Sequence, residues 1–258
     1  MSKAYVVSAT GKGGTGKTTL IALLLKNILD SDTDRNILVV DADPATNLPD
    51  VIGVEIEKTV GEAANELKKK IEKGQLPYTI SKKDLLEAWV YSTILELDNF
   101  DMLVMGRTEG EGCYCYVNSI LTKILDTIIS NYDLILMDME AGLEHLSRRT
   151  DKDVDVMIIV TDPSMMGFKT AQRIRELAEE VHIEVKKIYL VGNRFPNKLK
   201  NRVVKWASKI GVEYGGVIPY DPLIDEYNMN GKSLLELPND SLAVKAVKDI
   251  AYKIGILS

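Results

Sequence analysis

The sequence predicts an α/β fold in which a mostly parallel central sheet carries helices on both faces, and three observations predict it. Strand-length apolar runs recur at 4–9, 36–41, 101–105, 133–138, 154–160, 187–192 and 214–218. They are nearly continuous in Val, Ile, Leu and Met instead of alternating with polar residues, as strands buried on both faces require. Segments with helical spacing lie between most of them, which makes parallel pairing through crossover helices the natural arrangement. In such a sheet ligands gather beyond the C-terminal ends of the strands, so the loops after residues 9, 41, 105, 138 and 192 are expected on one edge. No internal repeat or low-complexity linker interrupts the chain, and residues 1–258 read as a single domain.

The first run passes into Gly11-Lys12-Gly13-Gly14-Thr15-Gly16-Lys17-Thr18, followed by Thr19, with a helix opened by Lys17-Thr18. This is the full G-x-x-x-x-G-K-[ST] spacing in the strand-to-helix setting that a phosphate-binding loop needs. Glycines let backbone N–H groups turn around an anion, and the helix behind adds its positive end. Lys17 brings a point charge to the terminal phosphates, and Thr18 is placed to hold Mg²⁺. Gly11, Gly13 and Gly16 also satisfy the dinucleotide pattern G-x-G-x-x-G, and Asp41 ends the next run where such folds keep a ribose-binding carboxylate. Against that reading stand two lysines in the loop, Lys12 and Lys17, and a second aspartate at the end of a later strand. A dinucleotide pyrophosphate, with about two negative charges, leaves these groups idle, whereas a nucleoside triphosphate with Mg²⁺ employs them all.

The second run ends in Asp41-Ala42-Asp43-Pro44, at the expected ligand edge; the competing role for these aspartates is helix capping before Ala45. Residues 55–98 fit the strand–helix alternation poorly: 62–73 reads as a charged helix, Leu76-Pro77-Tyr78 breaks the pattern, and another helix starts near Ser81. Lys68-Lys69-Lys70, with glutamates nearby, reads as a solvated helix face. After the run 101–105 comes Gly112-Cys113-Tyr114-Cys115-Tyr116. In an extended segment Cys113 and Cys115 point to the same side but are too close for an ordinary disulfide. Two thiolates are half of a soft-metal set, which a twofold dimer would complete to the four sulfurs that Zn²⁺ or Ni²⁺ accept. A buried apolar pair or a redox couple are the alternatives. Leu134-Ile135-Leu136-Met137-Asp138 has the form of a strand whose aspartate bonds a Mg²⁺-bound water. Asn193-Arg194 and Pro219-Tyr220-Asp221 close the last two runs. A C-terminal amphipathic pattern, with Leu242, Val247, Ile250 and Ile254 beside Lys245, Lys248 and Lys253, suits either core packing or a membrane surface.

The formal net charge of -6 and the lack of a basic arm argue against a nucleic-acid binder. The apolar stretch 20–29 is short of the ~20 residues of a membrane span, and no signal peptide is visible, so a cytoplasmic protein is expected.

With Lys12 five residues before Lys17, the loop resembles that of the deviant Walker A P-loop NTPases, among them the nitrogenase iron protein and the MinD and ParA ATPases. That resemblance implies an ATP-dependent homodimer in which Lys12 reaches the partner's nucleotide, Asp43 orients the attacking water and Asp41 lies near the Mg²⁺ shell. Turns like those at Asn193 and Pro219 read the adenine base in related ATPases. Met105-Gly106-Arg107, the segment 112–118 and Met139-Glu140-Ala141-Gly142-Leu143-Glu144-His145-Leu146 are similar to the CooC family, ATPases that mature the nickel site of carbon monoxide dehydrogenase. The resemblance implies an ATP-driven chaperone that holds Ni²⁺, or Zn²⁺ in vitro, between Cys113 and Cys115 of two copies. Hydrolysis would release the ion to apo carbon monoxide dehydrogenase, or to acetyl-CoA synthase. Gly142 would be the pivot of a second switch, and His145 would touch phosphate or metal or be structural. A regulatory MinD-type switch without metal is the rival.

Overall fold

A computed structural model describes residues 4–31, 34–74, 82–107, 127–140, 153–180 and 184–258. Each of the seven apolar runs forms a strand: β1 (Tyr5–Gly11), β2 (Ile37–Asp41), β4 (Asp101–Val104), β5 (Leu134–Asp138), β6 (Asp153–Thr161), β7 (Glu184–Asn193) and β8 (Glu213–Ile218). An eighth, β3 (Leu95–Glu96), is a short antiparallel addition to β4. The sheet order is β3-β4-β2-β5-β1-β6-β7-β8, and every other pairing is parallel. The expectation of a mostly parallel sheet covered on both faces holds.

The cover on each face follows from strand alternation. Val7, Ala9, Val39, Leu136 and Ile158 face one layer, made by α1 (Lys17–Leu29) and the last helix, Leu242–Lys253. Val6, Val40, Met137 and Ile159 face the other, where the helix Met165–Glu180 contributes Phe168, Ala171 and Ile174. Leu20 to Leu25 of α1 are wholly buried, because α1 is roofed by the last helix as well as floored by the sheet. Asn27 ties the two helices: its Nδ2 donates to Leu23 O at 2.8 Å and Val244 O at 3.2 Å. The last helix spends its apolar face here, with Val247, Ile250 and Ile254 buried and Lys245, Lys248 and Lys253 exposed. Core packing therefore accounts for this apolar pattern apart from Leu242, which stays exposed. Among the described residues no helix is long and apolar enough to cross a membrane.

Asp221 is a structural hub. Its carboxylate accepts from Leu223 N at 3.1 Å, Ser241 Oγ at 2.6 Å and Ala243 N at 3.0 Å, so it caps the helix Pro222–Met229 and braces the start of the last one. Burial alone would raise its pKa, but these donors outweigh burial and hold it below the ordinary carboxylate value. Asp221→Ala is expected to cost about 2 kcal/mol, by loss of a cap and of charge-assisted bonds. Urea unfolding of the two proteins measures it, and a change under a few tenths would contradict the assignment.

Between β2 and β4, after the short α2 (Leu48–Ile52), α3 (Val60–Glu72) starts with a reciprocal cap: Glu62 N donates to Thr59 Oγ1 at 3.2 Å, and Thr59 N donates to Glu62 Oε2 at 2.8 Å. Glu66 bonds Lys70 at 3.1 Å and also pairs with Lys58. Both lysines lie over the ring of Trp89 on α4 (Lys82–Tyr91). Lys70 thus belongs to a solvated ion-pair face, as the sequence suggests.

Candidate functional site

The parallel registers bring the strand ends together. Ala9 pairs with Asp138, Asp138 with Asp41, and Gly11 with Val160, so one sheet edge carries the glycine loop between two carboxylates. The loop needs its glycines. A Cβ on Gly11 would lie 2.3 Å from Val160 O, and one on Gly16 (φ 90°) would lie 2.1 Å from Asn193 Nδ2. Thr15 folds the loop by donating through N (3.2 Å) and Oγ1 (2.8 Å) to Lys12 O. Gly13 and Gly14 form the exposed tip. α1 starts after Gly16 with no side-chain cap and no acidic residue in its first turn, so the N–H groups there, around Lys17, Thr18 and Thr19, face an anion site without competition.

Behind the loop Thr18 Oγ1 donates to Asp138 Oδ2 at 2.6 Å, while the buried Asp138 Oδ1 has no hydrogen-bond partner among the described residues. An orphaned carboxylate oxygen beside a threonine hydroxyl fits Mg²⁺, with Thr18 as ligand and Asp138 holding a coordinated water; the ion would supply charge neutralisation for the phosphates. Among the described residues no three His, Cys, Asp or Glu side chains gather into a ready metal cage.

Burial pushes the Asp138 pKa up to about 6, with Asp43 adding to the rise and Thr18 and Lys17 opposing it. Asp41 rises further, to about 7, again chiefly by burial. The Leu48 and Asp43 N–H groups moderate the shift and the Asp138 charge adds to it. Those two N–H groups, each 3.1 Å from the carboxylate, show that Asp41 shapes the loop after β2. Asp43 caps no helix, since the next one starts at Leu48; its Oδ1 accepts from Ala45 N at 2.9 Å within the turn, and its Oδ2 faces Lys17 Nζ at 4.0 Å. Lys17 is 6% exposed, so its ammonium is committed to this inner site.

Lys12 is not. Its half-exposed side chain leans outward and pairs with Asp162 Oδ2 at 3.7 Å. Asp162 follows β6, and its other oxygen accepts from Ser164 N and Oγ at the start of the helix Met165–Glu180. Burial works against the ionised form, yet the Ser164 bonds and Lys12 together lower its pKa. Sequence reasoning passed over Asp162, although Thr161-Asp162-Pro163-Ser164 also ends a strand with a carboxylate on the ligand edge. Asn193 and Arg194 sit at the far side of the loop, where Asn193 Nδ2 donates to Thr15 O at 2.8 Å and Arg194 to Gly14 O at 3.3 Å. Pro219, half-buried, follows β8 beside them. Cys113, Cys115, Gly142 and His145 lie outside the described residues.

The model of the CobQ/CobB/MinD/ParA nucleotide binding domain matches residues 6–234. Similar proteins include an ATP-binding protein of Methanocaldococcus jannaschii, 44% identical over 96% of this chain and 98% of that one. Another is the carbon monoxide dehydrogenase accessory protein CooC of Rhodospirillum rubrum, 28% identical over 90% of this chain and 89% of that one. The solved structure of the MinD cell division protein of Aquifex aeolicus has a TM-score of 0.68 over 99% of this chain and 98% of that one, at 21% identity, a likeness in fold. With a P-loop NTPase fold and the second loop lysine of the deviant Walker A class, the chain belongs to the CobQ/CobB/MinD/ParA nucleotide-binding family.

Proposed function

We propose that this protein is an ATP-dependent dimerisation switch of the MinD/ParA kind, a slow ATPase that changes partners with its nucleotide state. One observation carries the reading: Lys17 is buried over the inner phosphate site, whereas Lys12 of the same loop is half-exposed and, among the described residues, held only by Asp162 at 3.7 Å. A pair as exposed as Lys12–Asp162 is worth about 1 kcal/mol or less, so a partner's phosphate can draw the lysine away. Lys12 then acts as an arginine finger does, and turnover without stimulation falls at roughly 10⁻⁴ to 10⁻² per second. Asp43 is the candidate for orienting the attacking water, since its carboxylate shares the space of the Lys17 ammonium.

Light-scattering mass with and without a non-hydrolysable MgATP analogue tests this. The native chain should double in mass, and Lys12→Ala should bind the analogue with nearly unchanged affinity yet remain monomeric. A native chain that hydrolyses ATP at a constant specific rate over a hundredfold dilution, with no change of mass, would exclude the switch.

A second reading, delivery of Ni²⁺ to apo carbon monoxide dehydrogenase or acetyl-CoA synthase, is favoured by the similarity to CooC together with the Cys113/Cys115 pair. Nickel titration with and without ATP separates the two: only the delivery reading requires tight Ni²⁺ binding that the Cys113→Ser, Cys115→Ser double variant loses.

A further inference from the structure

We infer that Asn193 and Arg194 are positioning residues of the phosphate loop, gripping two successive loop carbonyls from behind so that the anion-binding backbone is set before nucleotide arrives. Asn193 Nδ2 donates to Thr15 O at 2.8 Å, and an Arg194 guanidinium nitrogen to Gly14 O at 3.3 Å. The C=O of Thr15 and the N–H of Gly16 point to opposite sides of one planar peptide. Holding the carbonyl toward β7 therefore turns the Gly16 N–H toward the loop's interior. Arg194 grips the preceding peptide, whose N–H, that of Thr15, already closes the loop onto Lys12 O.

The clamp is built with little slack. Asn193 Oδ1 accepts from Arg194 N at 3.0 Å, so both ends of the amide are engaged, and the side chain is 6% exposed. Arg194 itself is left-handed, at φ 56°, a conformation that side chains avoid unless surrounding contacts over-determine it. A Cβ on Gly16 would collide with the Asn193 amide, which shows that loop and clamp are fitted to each other. The sequence-based role for Asn193, reading the adenine base, asks this same amide to face a ligand. Each end of the amide keeps a further hydrogen-bonding position, so the grip on the loop stands beside that role.

This inference rests on the ATP reading, and a ligand without a base separates the two. Inorganic tripolyphosphate, competing against a fluorescent ATP analogue in the presence of Mg²⁺, reports the phosphate loop alone. Asn193→Ala should weaken tripolyphosphate roughly 10-fold, the loss that one buried polar bond brings, and MgATP at least as much. Arg194→Lys, which keeps the charge but not the planar fork, should lower both by a smaller common factor, roughly 3-fold. Asn27→Ala removes a buried amide between α1 and the last helix, so it matches the loss of fold stability; it should leave tripolyphosphate affinity intact. Undiminished tripolyphosphate binding in Asn193→Ala, or an equal loss in Asn27→Ala, would overturn the assignment. A native chain that binds neither ligand would overturn it together with the ATP reading.

Discussion

Lys17→Ala is expected to lower MgATP affinity by roughly 100-fold or more and to abolish turnover, because it strips the inner site of its compensating cation. Around the loop lie Asp41, Asp43 and Asp138, and Lys17 Nζ, 4.0 Å from Asp43 Oδ2, is the cation that the structure sets over the phosphate site. Without it the incoming phosphates meet carboxylates through a low-dielectric wall. The Asp138 charge, which Lys17 now favours, also becomes harder to keep. Isothermal titration with MgATP measures the loss. An affinity within threefold of the native value would mean that backbone N–H groups alone hold the anion, and that the buried lysine is structural.

The nucleotide-empty chain should become less stable as the pH rises from about 4 to about 7, by on the order of 4 kcal/mol. Asp41 and Asp138 titrate near 7 and near 6 when folded, against an ordinary 3.8. A folded-state pKa raised by burial means that the native chain holds protons that the unfolded chain has already released. Their stabilising effect is complete below about pH 4 and lost as the pH climbs through 6 and 7. Asp162 and Asp221, whose pKa values are lowered, act in the other direction, and only at still lower pH. Thermal unfolding in matched buffers should show the decline, and Asp138→Asn should make it shallower, leaving the larger share that Asp41 contributes. With MgATP bound the trend should weaken or reverse, since a cation beside Asp138 favours its ionised form. A native curve flat between pH 4.5 and 7.5 would show that water solvates these carboxylates in the empty site.

Long buried strands and the glycine loop were readable from residues 4–41 and 133–218 because each states its own physics: unbroken apolar runs, and a spacing that only a phosphate cradle uses. β3 was not, since two residues carry no periodicity and their pairing with β4 is a tertiary event. The start of α3 lay two residues earlier than the charge pattern indicated. Thr59 and Glu62 spelled out the capping box that places it, but glycine at position 61 masked the helical signal. That glycine is retained because a Cβ there would strike Arg107 O at 2.4 Å, a constraint from across the fold. The destination of Lys12 and the rearward engagement of Asn193 were equally hidden, because spacing along a chain says which groups reach one edge and not which way each side chain turns.

The place of β1 also has a consequence for how the molecule is made. Its two neighbours, β5 and β6, lie more than a hundred residues downstream, and β5 must enter between β1 and β2. A growing polypeptide therefore emerges from the ribosome with its opening strands unable to complete a ladder, and α1 waits for a roof supplied by the final helix. Contacts of such long sequence separation make assembly slow and leave apolar segments exposed while synthesis continues. Chaperone dependence during translation, more than resistance to heat once finished, is then the trait in which this topology would be felt.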